Sequence, residues 1–193
     1  MMKNEKFISI IFKSSPKESE INMISDFLRG LIGNYIYPVY EDSVLTVFFD
    51  AELEIDFEEI IQGLSEDVYM TATLFESGVL YNGINKNEYT KYIVDNKNKL
   101  LETNKLYFTE ADLVKSKLVS PIVVKNILKE FYDDYQMKEV IKAYLDSNMN
   151  ISKAANRLYM HRNTVMNKID KFINNTGYDI KKFKNAFIIY HII

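Results

Sequence analysis

The sequence predicts an α+β chain in two parts. A βαββαβ unit lies within residues 1–112 and an all-helical unit fills residues 113–193. Apolar residues recur with strand and helix periods in turn through residue 74, whereas everything after Pro121 reads as helix. Charge also changes sign along the chain: residues 1–110 carry ten basic and nineteen acidic side chains, and residues 151–193 carry eight Lys/Arg against two Asp. Such asymmetry is expected where one half meets a polyanion and the other repels it.

The elements follow in order. Residues 6–13, KFISIIFK, are rich in Ile and Phe and read as a buried strand. Pro16 opens a helical pattern in which Ile21, Ile24, Phe27, Leu28 and Leu31 recur at three- and four-residue steps, with Gly30 and Gly33 near its end. Residues 35–40 and 44–49 read as two strands joined around Glu41, Asp42 and Ser43, a hairpin. Asp56 can cap a helix reaching about Leu64, and residues 68–74 alternate like another strand. This order sets two helices against one face of an antiparallel sheet. A helical stretch at about 86–101 and a short strand at 106–108 follow. Ser120 and Pro121, a capping residue and a first-turn proline, start the helical part. Residues 122–132 and 136–146 are then two helices, or one broken near Asp133 and Asp134.

Bulk composition bounds the chemistry. Of 193 residues, 47% are apolar and 26% charged, the balance of an ordinary globular protein. The absence of Cys excludes disulfides, thiolate metal sites and cysteine nucleophiles, and fits a reducing cytoplasm. The apolar run near the N-terminus is too short for a signal-peptide core, and the C-terminal AFIIYHII falls far short of the roughly 20 residues that span a bilayer. A cytoplasmic protein without a membrane partner is expected.

Residues 150–175 carry the informative motif. Asn150 or Ser152 can cap a first helix holding Ala154, Ala155 and Leu158. A tight turn at Tyr159 and Met160 follows, and a second helix begins at about His161 or Arg162. In it Val165, Ile169 and Phe172 sit at i, i+4 and i+7 and share the inward face. Ala155 is small enough for close helix crossing, and Met160 plugs the junction. This is the pattern of a DNA-reading helix-turn-helix with its recognition helix at about 162–174. The outer face then presents Arg162, Asn163, Asn167, Lys168 and Lys171, whose side chains suit guanine, adenine and phosphate. Thr164 and the first backbone N–H groups can hold a phosphate, with Ser152, Lys153 and Arg157 touching the DNA backbone across the groove. A plain helix pair with a solvated basic face is the competing reading.

The string AANRLYMHRNTVMNKIDKFINNTGYDI also resembles the C-terminal helix-turn-helix of the PucR/CdaR family of bacterial transcriptional regulators. His161, Arg162, Asn163, Thr164, Val165, Ile169, Thr176, Gly177 and Asp179 match that pattern. The resemblance covers about 60 residues and adds His161 to the DNA-facing set. Two departures stand out: Asn167 and Lys168 replace the usual Tyr-Arg, and Tyr159 stands where many such turns have Gly. Gly177 follows a polar run and can end the recognition helix in a left-handed cap, after which Asp179 starts a last helix whose Ile180, Phe183, Phe187 and Tyr190 share a face. Lys181, Lys182 and Lys184 near that helix's start oppose its dipole, which suggests phosphate contact, with an exposed solubilising face as the alternative.

The first half resembles, more loosely, the degenerate GGDEF-like or ferredoxin-like domain that precedes this motif in longer family members. No Gly-Gly-Asp/Glu-Glu-Phe string is present, so cyclase chemistry is not expected. Asp50, Glu52, Glu54, Asp56, Glu58 and Glu59 form an acidic cluster, better read as a solvated loop and helix start than as a metal site. Both His residues lie in the second half, leaving no Ser/His/Asp or two-His arrangement in the first. The expectation is a non-enzymatic, cofactor-free transcriptional regulator that binds double-stranded DNA as a homodimer. The sheet unit then serves dimerisation, a small-molecule effector or another protein. The alternative is a protein-interaction module that keeps the helix-turn-helix shape without a DNA role.

Overall fold

The Ile- and Phe-rich run near the N-terminus forms β1 (Glu5–Phe12), buried along almost its whole length. It pairs antiparallel with β3 (Val44–Asp50) on one side and β4 (Ala72–Glu76) on the other. An antiparallel edge strand β2 (Val39–Glu41) and a parallel one, β5 (Tyr107–Thr109), complete the order β2-β3-β1-β4-β5. The structure is a computed structural model that describes residues 4–67 and 71–193. The chain divides into two compact units, Met1–Leu113 and Val114–Ile193. It is thus a mixed α+β protein, with its sheet N-terminal and its helices predominating C-terminally.

Side chains alternate across β1. Ile8, Ile10 and Phe12 join Leu45, Val47, Phe49 and Leu74 beneath α1 (Glu18–Ile32) and α2 (Phe57–Asp67), which contribute Ile24, Leu28, Phe57 and Ile61. On the opposite face Phe7 meets Phe48, Phe75 and, edge-on at 5.1 Å, Tyr89 of α3 (Lys86–Asp95). Leu100 of α4 (Lys97–Glu102) is buried as well. Both faces are therefore covered, which explains why β1 is an unbroken apolar run instead of an alternating one. The one hydroxyl in that run, on Ser9, is satisfied by Thr46 across the ladder at 2.9 Å.

Local chemistry moved several expected boundaries. The first hairpin strand begins only at Val39, after Pro38, which has no N–H to give a ladder. Asp42 and Ser43 both take positive φ, the requirement of a two-residue hairpin turn. Asp56 caps α2 by accepting from the Glu59 N–H at 3.0 Å. The single stretch expected at 86–101 is two helices, broken at Asn96, whose side chain donates to the Tyr92 carbonyl at 2.9 Å. The strand expected at 68–74 is β4, which starts at Ala72; residues 68–70 lie outside the described residues.

After α5 (Glu110–Lys115), α6 (Pro121–Leu128) starts on its proline as expected, but Ser120 does not cap it. The Ser120 hydroxyl is buried without a partner among the described residues. The helix ends a turn early because Lys129 takes a positive φ of 52° before a 3₁₀ turn, Lys129–Phe131. Next comes α7 (Tyr135–Asp146), capped by Asp134 through the Met137 N–H at 2.8 Å. The remaining helices are α8 (Ile151–Arg157), α9 (Arg162–Thr176) and α10 (Phe183–Tyr190). Their shared core holds Phe131, Val140, Ile141, Ala154, Ala155, Ile169 and Phe172. Among the described residues no helix is long and apolar enough to cross a membrane.

Asp179 does not start the C-terminal helix: its side chain accepts from the Lys181 N–H at 3.1 Å in a turn, and the helix begins at Phe183. Phe183, Phe187 and Tyr190 share one face of it, as expected, and that face is exposed, while Ala186, Ile188 and Ile189 are buried; Ile180 precedes the helix.

Candidate nucleic-acid interface

Helices α8 and α9 are joined by a turn whose hydrogen bonds can be followed atom by atom. Asn150 caps α8, accepting from the Lys153 N–H at 3.0 Å. At the other end the Met160 N–H donates to the Ala155 carbonyl and the Tyr159 N–H to that of Asn156. These are the paired bonds of a Schellman cap, which needs a left-handed residue between helix and exit. Tyr159 fills that position with φ 53°, where glycine is the unstrained choice. Its side chain is 99% exposed, so packing does not compensate the strain. Met160, half-buried at the corner, follows directly.

The cap aims α9. His161 is its N-cap residue: the ring Nδ1 accepts from the Asn163 N–H at 3.3 Å, which requires the neutral tautomer bearing its proton on Nε2. Val165, Ile169, Phe172 and Thr176 are buried, with the Phe172 ring packed at a tilt against Phe131, centroids 5.4 Å apart. Gly177 closes the helix at φ 80°, its N–H donating to Ile173. One face is thus anchored at four points over three turns, and the other is fixed in orientation.

On that other face the residues singled out from the sequence separate into two groups. Arg162, Asn163, Thr164 and Asn167 are exposed, as are Ser152 and Lys153 at the start of α8. Among the described residues none of these side chains has a recorded partner. Three basic groups are tied down instead. Arg157 pairs with Asp146 at 3.2 Å, Lys168 donates to Gln136 at 3.1 Å, and Lys171 lies 3.6 Å from Glu130 and over the Phe131 ring. Such exposed contacts are worth about 0.2–1 kcal/mol each, so a phosphate can displace them.

Two further exposed side chains, Met166 and Tyr159, were not placed in the DNA-facing set by the sequence reading. Met166 stands one turn beyond Arg162, a placement that the i, i+4 step already implies. Tyr159 projects fully from the turn, and its marker is the missing glycine. Asp170, the one acid on α9, is paired by Lys181 at 2.7 Å. That hydrogen bond, against a weaker desolvation effect, raises the Lys181 ammonium above its ordinary value, so it stays charged over Asp170. Lys181 therefore neutralises the one acid there that would repel a phosphate.

The acidic cluster of the sheet unit does different work. Asp50 and Asp56 accept from backbone N–H groups of Glu52 and Glu59. Glu54, Asp56, Glu58 and Tyr107 line a cleft of about 410 Å³. Burial, then a 2.5 Å hydrogen bond to Glu76 and the surrounding carboxylates, push the Tyr107 hydroxyl far above its ordinary value, so it remains a donor. Among the described residues no three His, Cys, Asp or Glu side chains converge as metal ligands.

Comparison with known proteins bears on the helical unit. Residues 137–191 match the family described as the PucR C-terminal helix-turn-helix domain. Over 62 residues the chain is 37% identical to the uncharacterized protein YxkF of Bacillus subtilis (strain 168), which spans 32% of this chain and 21% of that protein. A crystal structure of a regulator of polyketide synthase expression from Bifidobacterium adolescentis aligns over 98% of this chain and 78% of its own, at TM-score 0.47 and 15% identity. The Schellman turn and the capped α9 thus lie within residues 137–191, the segment that matches the PucR C-terminal helix-turn-helix domain.

Proposed function

We propose that the protein is a sequence-specific, non-catalytic transcriptional regulator that inserts α9 into the major groove of double-stranded DNA. One observation carries the reading: the exposed N-terminal turn of α9 holds Arg162 and Asn163 without internal partners, on a helix whose opposite face is fully anchored. An N-terminal turn is where recognition helices meet base edges. Arg162 pairs with guanine and Asn163 or Asn167 with adenine, while Met166 offers an apolar contact to a thymine methyl. Thr164, Ser152 and Lys153 take phosphates, and Arg157, Lys168 and Lys171 join them by exchanging one oxyanion for another. His161 acts by capping α9 and not by reading a base. Because a single helix-turn-helix binds weakly, the protein acts as a homodimer on paired half-sites.

The test is Arg162→Ala and Asn163→Ala in a binding assay on DNA selected from random sequence. Each is expected to lose roughly 1–3 kcal/mol of discrimination at one base position while the fold persists. Affinity should also fall steeply with salt as counterions are released. The internal engagement of Arg157, Lys168 and Lys171 favours a second reading, a protein-interaction module without a DNA role. Salt-insensitive or absent DNA binding would establish that reading in place of the first.

A further inference from the structure

Along one side of α9, neighbouring segments of the helical unit hold Lys168, Lys171 and Asn175. Lys168 donates to the neutral amide of Gln136 at 3.1 Å. Lys171 meets a charge instead: its ammonium lies 3.6 Å from Glu130 Oε1, and the same oxygen accepts from Asn175 Nδ2 at 2.7 Å. Lys171 and Asn175 stand one helical turn apart, so both reach one carboxylate. Lys171 also lies over the Phe131 ring, 5.6 Å from its centroid. The backbone leaves its ordinary range just where it delivers Glu130. Lys129 takes φ 52° and ψ −125°, the geometry of the first central residue of a type II′ turn, which glycine enters without strain. It opens the 3₁₀ turn that carries Glu130 and Phe131. Strain that a fold keeps is a pointer to use. The Lys182–Asp179 pair, also at 3.6 Å, joins near neighbours within one turn and needs no such backbone.

We infer that Glu130 limits affinity for DNA: its carboxylate competes with a backbone phosphate for Lys171 and weakens the hold on every sequence alike. Phosphate contacts supply the sequence-independent part of binding, and base edges supply the choice between sites. Lys171 reaches a phosphate only by sharing its charge with Glu130 or by leaving that carboxylate unpaired beside a polyanion. The Asn175 amide keeps the carboxylate in place, so it does not simply swing away. Lys168 meets no such opposition, because the group it leaves is neutral. Base reading by Arg162 and Asn163 is untouched, since both stand at the other end of α9. Glu130 therefore sets how tightly the protein holds DNA as a whole and leaves the preference among sequences to the start of the helix.

The inference rests on the DNA reading above, and its test keeps the two apart. The full chain, Glu130→Gln, Lys171→Ala and the double variant are each titrated with a duplex selected from random sequence and with an unselected one, over a range of salt. Gln keeps an oxygen for the Asn175 amide, so the fold should persist, which a thermal melt checks. Glu130→Gln should tighten binding to both duplexes by the same factor, about 2–5-fold at low salt, the scale of an exposed ion pair. It should also steepen the fall of log affinity with log salt. In the Lys171→Ala background the same substitution should gain no more than about 1.5-fold, because the two residues are coupled. An equal gain in both backgrounds would make Glu130 one negative charge among many and overturn the inference. So would no gain at all in a protein that binds the selected duplex with steep salt dependence, and the DNA reading would then stand without it. A chain that binds neither duplex overturns both.

Discussion

The two units use their charged residues in opposite ways. In the sheet unit several acids have structural duties within the unit: Asp56 caps α2, Glu76 accepts from Tyr107, and Asp112 accepts from Thr109. In the helical unit the side chains at the start of α9 have no such duty, and the exposed groups there are held at the surface by a buried opposite face. Polar groups that complete a fold say little about function, whereas polar groups the fold leaves over carry it. The basic unit can therefore be read residue by residue, and the acidic one only by its surface.

The largest effect that tests this division is on stability. Phe172→Ala in the helical core and Phe7→Ala in the sheet core should each cost about 3–5 kcal/mol. Amide hydrogen exchange should show protection lost mainly in the unit that carries the substitution. Equal loss in both units from either variant would mean that the chain unfolds as one body.

How much of this was legible in the sequence follows the same contrast. Helix α9 was readable because Val165, Ile169 and Phe172 stand against a polar opposite face. Helix α10 was readable in its shared face of Phe183, Phe187 and Tyr190 but not in its start, and FKNAFIIY, apolar on several sides, does not single out the buried side. In β1, a run with no alternation was correctly taken as buried, but that the helical stretch expected at 86–101 would cover its second face was not foreseen. The engagement of Arg157, Lys168 and Lys171 was also invisible, since their partners lie eleven or more residues away and only folding brings them near. Tyr159 was flagged as a misfit in its turn, and the structure supplies the left-handed geometry that makes it one.

On DNA, the free and the engaged lysines should separate. Lys153→Ala should weaken binding evenly across sequences and lower the slope of log affinity against log salt by about 1. Lys171→Ala should do less, because its charge is already shared with Glu130. Equal effects in a salt titration would mean that the Glu130 contact is abandoned on binding.

The turn offers a smaller effect with two readouts. Tyr159→Gly relieves a left-handed conformation in a side chain that packs on nothing, and should stabilise the helical unit by up to about 1 kcal/mol. If Tyr159 is retained for contact with DNA, the same variant should bind DNA less tightly while melting higher. Tighter or unchanged binding would make Tyr159 a tolerated misfit and remove it from the interface.

The smallest effect lies in the acidic unit and depends on pH. Burial alone would raise the Asp112 carboxyl. Its hydrogen bonds from Lys105, at 2.8 Å, and from the Thr109 N–H and hydroxyl outweigh burial and hold it below its ordinary 3.8. A carboxyl depressed in the folded state contributes stability that is present above its unfolded value and lost as pH falls through the folded one. The corner between β5 and α5 should therefore keep its amide protection down to about pH 4 and lose part of it below. Asp112→Asn should remove that pH dependence while lowering protection at neutral pH. If the corner is as protected below this window as above it, Asp112 is not pinning it, and the structural use of acids in the sheet unit rests on others such as Asp56 and Glu76.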